Sequence, residues 1–381
     1  MPSNKHNPSV VFAVTNCISY DQRVLKMAQT VEELGADIII IGRKMGSSEG
    51  EDHVPFRTIK FRMIFTRGFL FYKFFNIRLF FLLLFIKADI IVSNDLDTLP
   101  ACWLASKIRA KTLVYDSHEY FTGVPELLER KFVRSVWEKI EKLIVPCLEN
   151  VITVSDPIAD IFYEKYQIKP VVIRNCSRSS AAVIPVSRME LGIDEERLLL
   201  VLQGGGINIH KGAEELVEAM KSLPDVHLLI IGSGDVIPYL KRMASENDLE
   251  CRINFLPRMP WSEMMRFTKA ADAGLSLERD TNINYRFSLP NKMFDYISAG
   301  IPVIAGELPE IAKVIAGNSC GILIPSITPA EIARAVTLLD GNRDLLMVLK
   351  QNSGDAFKEL NWEKESEKVK ELYINLLAEV K

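Results

Sequence analysis

Two successive series of short apolar runs, each run followed by a segment of helical periodicity, restrict what this chain can fold into more than any other feature. The first series comprises residues 10–14, 37–41, 90–92, 112–115 and 151–154. The second comprises residues 198–202, 227–231, 252–255, 273–277, 302–305 and 321–324. Strand-like runs alternating with helices predict parallel sheets wound with helices, an α/β class, rather than a barrel or a sandwich. Between the two series, residues 177–186 are rich in Ser, Ala and Pro without periodicity, the composition of a linker. A chain of 381 residues is too long for one core and suits two domains. The expected division is 1–180, 187–360 and a final amphipathic helix within 361–381, from Trp362 to Val380.

Composition narrows the partners. The 46 Lys and Arg against 49 Asp and Glu leave a net charge of −3, which gives no whole-protein attraction to nucleic acid. Cys17, Cys102, Cys147, Cys176, Cys251 and Cys320 are scattered without Cys-x-x-Cys spacing, and the apolar run from Ser9 reads as a first strand rather than a signal peptide. Free thiols and a reducing cytoplasm are therefore expected. No His or Cys cluster offers a transition-metal site.

The run SLPNKMFDYISAGIPVIAG, residues 288–306, reads as a short helix that stops on a glycine and feeds a strand. Pro290 suits the first helical turn and Gly300 the left-handed stop. At about 100° per residue, Ser288, Asn291 and Asp295 share one face while Met293, Phe294 and Ile297 share the other. The first face is then free to bind. The helix start places unpaired N–H groups and partial positive charge at Ser288 to Lys292, where a phosphate fits, with the Asp295 carboxylate a turn further in for sugar hydroxyls. On spacing alone, a helix with a merely polar outer face is an equal reading. The order of residues (Ser and Pro, Lys292, an acid three residues on, an aromatic, Ala-Gly, Pro-Val-Ile) resembles the donor-binding segment of retaining glycosyltransferases of the GT-B fold, of the family 4 type. That resemblance implies two Rossmann-like domains facing across a cleft and a C-terminal helix that crosses back to the first domain.

Upstream, the run 198–202 ends in Gln203-Gly204-Gly205-Gly206, and Lys211-Gly212 opens the next helix. Glycines at a strand end let backbone N–H groups approach an anion, and Lys211 supplies countercharge. The pattern is neither a Walker loop nor a dinucleotide fingerprint, and a plain tight turn is its bland reading. The resemblance implies an arginine and a lysine gripping a diphosphate. Lys211 matches the lysine, but glycine stands where the arginine is expected, so backbone amides, Lys211 and Lys292 share the task. By the same resemblance Gly232, in the Gly232-Ser233-Gly234 turn, borders the nucleotide, and Arg258 and Met259 lie where the base is read. Glu278, followed by a polar and aromatic loop 279–287, replaces a first acid that the family's spacing would put at Phe287.

In the first half, Asp116-Ser117-His118-Glu119 follows a strand, the end at which ligands bind in open parallel sheets. His118 is the candidate donor to the sugar or phosphate, and Glu119 orients it or meets the acceptor. Asp21 and Arg23 resemble an acceptor-side loop, although a helix cap at Asp21 with a solvated Arg23 is nearly as good a reading. Asn94-Asp95-Leu96-Asp97 contains the Asp-x-Asp that holds a divalent ion in the other large glycosyltransferase architecture. That role would idle the glycines and lysines of the second half. Asn94 and Asp95 are therefore read as the end of a strand lining the cleft, and no metal is expected.

Residues 53–88 contain seven Lys and Arg and no acid, interleaved with phenylalanines and ending in the apolar run 79–86. A transmembrane helix is disfavoured, since Lys73 and Arg78 would each cost roughly 2.5–3.5 kcal/mol near a bilayer centre. An anionic membrane surface and a buried helix with a solvated basic loop remain equal alternatives. The expected activity is transfer of a hexose-type sugar from a UDP- or GDP-linked donor to a hydroxyl of a glycan or lipid-linked acceptor. It is expected to be retaining, metal-independent, without a further cofactor, and cytoplasmic or peripheral on the membrane in surface polysaccharide or glycolipid synthesis. A sugar-nucleotide epimerase of the same architecture and a non-catalytic membrane-docked scaffold are the rivals.

Overall fold

The computed structural model describes residues 7–44, 54–128, 130–209 and 211–380. His53, the first residue of the basic stretch, lies outside them, as do residues 1–6 of the expected first domain and Lys381 of the last segment. The chain divides into two compact units, Met1–Arg174 with Glu365–Lys381, and Asn175–Lys364.

Among the described residues the first unit holds seven strands: β1 (Ser9–Ala13), β2 (Asp37–Arg43), β3 (Arg57–Phe61), β4 (Ile90–Asn94), β5 (Thr112–Asp116), β6 (Asn150–Thr153) and β7 (Val171–Val172). They form one parallel sheet in the order β3-β2-β1-β4-β5-β6-β7. Val10 pairs with Ile38 on one side and Ile90 on the other, so the winding reverses between β1 and β4. Such a switch point opens a crevice at the carboxyl ends of the strands. Two strands were not expected. β3 lies within the acid-free basic stretch, where its charges mask the strand signal, and β7 is two residues long.

The second unit repeats the architecture with β8 (Leu198–Gly204), β9 (Val226–Gly232), β10 (Ile253–Leu256), β11 (Ala273–Ser276), β12 (Val303–Gly306) and β13 (Gly321–Ile324). Their order is β10-β9-β8-β11-β12-β13, all parallel, with the reversal between β8 and β11. The alternation along β8 shows why its run is apolar throughout. Leu198, Leu200 and Leu202 enter one core cluster with Leu228 and Ile230 of β9, while Leu199 and Val201 enter the cluster on the opposite face. Helices cover both faces, so side chains on both sides of the strand are buried and the residues 198–202 are all apolar.

The segment expected as a linker is fastened into the second unit. Ser177 is buried and its hydroxyl donates to the Asp295 carboxylate, Ser180 Oγ donates to the Ser298 carbonyl at 2.5 Å, and the Trp362 amide donates to the Ser177 carbonyl at 2.9 Å. Small polar residues that read as flexible punctuation here satisfy buried polar groups. The last helix, Trp362–Glu379, starts in the second unit and ends in the first.

Candidate active site

In the second unit the site is built on the two strands that flank the switch point. β8 ends at Gly204, which pairs with Gly232 of β9. At Gly232, φ is +134° and a Cβ would lie 1.9 Å from the Gly204 carbonyl oxygen, so only glycine lets these two strand ends close. The loop that follows is ringed by donors. An added Cβ at Gly205 would meet the Arg258 guanidinium at 3.6 Å, and one at Gly206 would meet Asn208 Nδ2 at 3.7 Å and Lys211 Nζ at 3.8 Å. Arg258, two residues beyond β10, thus brings a cation to the glycine loop that carries no arginine of its own. Met259 beside it packs against the apolar cluster on one sheet face.

Lys292 pairs with a buried carboxylate beside this loop, and the Lys211 charge acts on the same group. Lys292 Nζ lies 3.0 Å from Glu278 Oε1, and Ser276 Oγ donates to Glu278 Oε2 at 2.7 Å. Burial opposes ionisation of Glu278, but Lys292, the Ser276 hydrogen bond and the nearby Lys211 charge hold its pKa below the ordinary value. Lys292 enters from the Asn291–Ala299 helix, whose start at Asn291 leaves Pro290 as its cap rather than in its first turn, and which ends on Gly300 at φ +72°. Ser288 terminates a short helix, Ile283–Phe287, in the stretch expected as a loop. That helix brings the Tyr285 ring to 5.8 Å from Lys211 Nζ. The exposed Asn291 accepts from Asn175 Nδ2 at 2.7 Å.

Asp295 does not occupy a free face. It is 7% exposed and accepts hydrogen bonds from Trp261 Nε1 at 2.9 Å, Gln203 Nε2 at 3.0 Å and the Ser177 hydroxyl. The expectation that it meets sugar hydroxyls is therefore corrected. Both oxygens are committed to fixing the start of the helix against the end of β8.

In the first unit the carboxyl ends of β1, β4 and β5 carry a dense charged cluster. Arg23 is 3% exposed and grips Asp116 in a fork, Nη2 to Oδ1 at 2.7 Å and Nε to Oδ2 at 3.0 Å, while Nη1 donates to the Ile173 carbonyl at 2.9 Å. It is neither a solvated side chain nor an acceptor contact, because its fork is spent on a buried carboxylate. Asp21 caps the Gln22–Glu33 helix, accepting from the Val24 amide at 3.1 Å. The helix-cap alternative describes it.

His118 sits between two carboxylates, Nδ1 3.4 Å from Asp95 and Nε2 3.3 Å from Asp116, and its amide donates to Asp95 Oδ1 at 2.8 Å. Burial would lower its pKa, but Asp95 and Asp116 together push it up to about 9. Asp116 stays well below the ordinary carboxylate range; burial opposes this, and Arg23 and His118 outweigh it. Burial pushes Asp97 up to about 7 against the hydrogen bond from Thr15 Oγ1 at 2.5 Å. Asp95 holds φ +61°, a left-handed conformation that aspartate tolerates at the mouth of the sheet.

Among the described residues, three buried polar atoms of this cluster lack an aligned hydrogen bond: Asn94 Oδ1, Asp97 Oδ1 and His118 Nε2. Asn94 Nδ2 is bonded to the Ala13 carbonyl at 2.9 Å, so its oxygen is the group left over. Glu119 is half-buried beside them, and its carbonyl accepts from Ser117 Oγ at 2.8 Å. Buried polar atoms left over in this way mark where ordered water would complete the bonding.

Sequence reasoning did not find Ser276, Asn208 or Trp261. Asn208 was within reach, two residues after the third glycine. Trp261 lies 34 residues from the Asp295 it holds, and no spacing rule connects them.

A model of the family described as glycosyl transferases group 1 matches residues 185–355, and one described as glycosyltransferase family 4 matches residues 21–176. An uncharacterised glycosyltransferase of Methanocaldococcus jannaschii is 23% identical over 317 residues, 79% of this chain and 78% of that protein. Sucrose-phosphate synthase from Thermosynechococcus elongatus has a similar structure, with TM-score 0.79 at 18% identity over 98% of this chain and 100% of that one. HepE of Anabaena, solved in complex with UDP-glucose, has TM-score 0.74 at 16% identity over 96% and 99% of the two chains. At these identities the structural likeness establishes the fold.

Proposed function

The chain belongs to the glycosyltransferases of the GT-B fold, matching group 1 and family 4 in its two halves, and from that premise we propose a specific reaction. It moves a hexose from a UDP- or GDP-linked donor to an acceptor hydroxyl, with retention of anomeric configuration and without a metal ion or further cofactor. The observation that carries this reading is the placing of Lys211 and Arg258 against Gly206 and Gly205 of the glycine loop, in the unit where Lys292 is held by Glu278. A diphosphate leaving the anomeric carbon gains negative charge, and three side-chain cations with the loop amides are placed to stabilise it. Removing one such preorganised donor typically lowers the rate by about 10²–10³.

Within the first unit, we assign the acceptor hydroxyl to the cluster around Asn94, Asp95, Asp97, His118 and Glu119. His118 Nε2 is shielded from solvent 3.3 Å from Asp116, so a substrate oxygen meets it only by displacing that contact. The orphaned oxygens of Asn94 and Asp97 suit hydroxyl donors. We place the protein in the cytoplasm, in surface polysaccharide or glycolipid synthesis. Its six free cysteines support a reducing compartment.

A thermal-shift screen of UDP-, GDP- and ADP-sugars tests the donor. A donor at a hundred times its dissociation constant adds about 2.7 kcal/mol of stability. Product analysis with that donor and a glycan acceptor then reads the anomer by NMR, with and without EDTA. A new α-linked product from an α-linked donor, formed equally in EDTA, is the expected result. An epimer formed with no acceptor present, or complete loss in EDTA, contradicts it.

A further inference from the structure

We propose that the first unit docks on an anionic lipid surface through the outward face of the Gly68–Phe85 helix and a basic pocket beside it. The helix carries large apolar residues on opposite sides, yet only one side faces the core. Phe71, Phe75, Leu79 and Leu83 are buried in the cluster that includes Val11, Ile39 and Ile91 of the sheet. On the other side Leu70, Phe74, Ile77, Phe81 and Phe85 are all exposed, spaced four, three, four and four residues apart. That spacing makes one continuous stripe along the helix. Phe85 is 85% exposed, and Ile64 in the approach to the helix is 93% exposed. Phe65 stacks on Phe74 with ring centroids 5.5 Å apart, which widens the stripe at its N-terminal end. An outward face of this kind on a surface helix requires a cover.

The charge beside it says which cover. A pocket of about 630 Å³ is lined, among the described residues, by Lys44, Thr58, Lys60, Arg62 and Arg78, four cations and a hydroxyl. Arg78 comes from the helix itself. Its guanidinium lies 4.6 Å from the centroid of the Phe61 ring and donates to the Arg62 carbonyl at 2.5 Å, so pocket and helix are one rigid patch. Lysine on an edge strand such as β3 is often only a guard against pairing with another chain. That reading accounts for Lys60 but not for a phenylalanine stripe adjoining the pocket. A second copy docking on this face by a two-fold axis would set the stripe against itself and bring two sets of the same cations together. An anionic bilayer takes the phenylalanines into its interfacial zone and gives the pocket lipid phosphates, with Lys73 reaching its headgroups from within the stripe. Because one face of the helix is committed to the protein core, it lies in the membrane surface and does not span it.

Flotation of the full chain with vesicles tests this. The account expects binding to phosphatidylglycerol–phosphatidylcholine vesicles, falling with salt, and little binding to pure phosphatidylcholine. The pair Phe81→Ser/Phe85→Ser and the pair Lys60→Glu/Arg62→Glu should each weaken binding by roughly tenfold or more. All four positions are remote in sequence from the glycine loop, and calorimetric binding of UDP or GDP serves as the folding control. Equal binding to neutral vesicles, none to anionic ones, or release by millimolar inorganic phosphate would overturn the proposal. So would a concentration-dependent dimer that the phenylalanine variants abolish while vesicle binding is unchanged.

Discussion

Lys292 Nζ meets Glu278 Oε1 at 3.0 Å with both side chains shielded from solvent, and this pair ties the start of the Asn291–Ala299 helix to the end of β11. In the proposed reaction the diphosphate competes with Glu278 for the lysine. The carboxylate keeps Lys292 aimed before the donor arrives, while Ser276 keeps the carboxylate itself in place. Glu278 is in this account a positioning residue and Lys292 a catalytic one.

Lys292→Met should therefore do two separable things. It leaves the buried Glu278 carboxylate without its principal partner, a loss of roughly 3–5 kcal/mol in urea unfolding. It also lowers kcat by about 10²–10³. Adding Glu278→Gln should return most of the stability and none of the rate. A double variant that turns over like the parent would remove Lys292 from the chemistry.

Gly212 and Gly300 both have φ +72°, but their surroundings differ. A Cβ at Gly212 would lie 2.5 Å from Leu277 Cβ and 2.7 Å from the Leu277 carbonyl oxygen, whereas nothing lies within 4 Å of one at Gly300. Gly300→Ala should lose about 1 kcal/mol or a little more, with donor affinity unchanged. Gly212→Ala should lose more than this and weaken donor binding, because Lys211 must move with the displaced backbone. Equal destabilisation of the two, with equal donor affinity, would contradict the close fit at Gly212.

Much of this architecture is legible in the residues, and the exceptions share a cause. The six strands of the second sheet lie where the apolar runs place them, most plainly the central four, which are buried on both faces and cannot hide their signal. β3 escapes notice because an edge strand tolerates Arg57 and Lys60. Glu278 and Lys292 are only 14 residues apart, with the short helix Ile283–Phe287 between the elements that carry them, so their association is nearly local. Arg23 and Asp116 are 93 residues apart, and Ser177 and Asp295 are 118 apart. Nothing local distinguishes a solvated arginine from one that closes a buried fork, or a sugar-binding aspartate from one held by three donors.

The His118 cluster predicts a stability that depends on pH. The folded pKa of about 9 exceeds the ordinary value of 6.5, so the folded state holds a proton that the unfolded state has lost between those values. Its contribution is complete below pH 6.5 and disappears as pH rises through 9. The midpoint read from the His118 ring signals by NMR should lie above 8, while Asp95 and Asp97, which burial pushes up to about 8 and about 7, add to the fall in Tm through the lower part of the same window. A midpoint between about 6 and 7, the ordinary histidine range, would mean that Asp95 and Asp116 do not hold the imidazolium.

Calorimetric titration of UDP and GDP into the wild type, Lys211→Ala and Arg258→Ala tests the central claim most directly. The account predicts that one of the two nucleotides binds, and that each substitution weakens it by roughly tenfold or more, consistent with loss of a charge-assisted hydrogen bond of about 1.5–3 kcal/mol. Its affinity should also depend less steeply on salt in each variant. Unchanged affinity in both variants would show that the glycine loop and its cations do not hold a diphosphate.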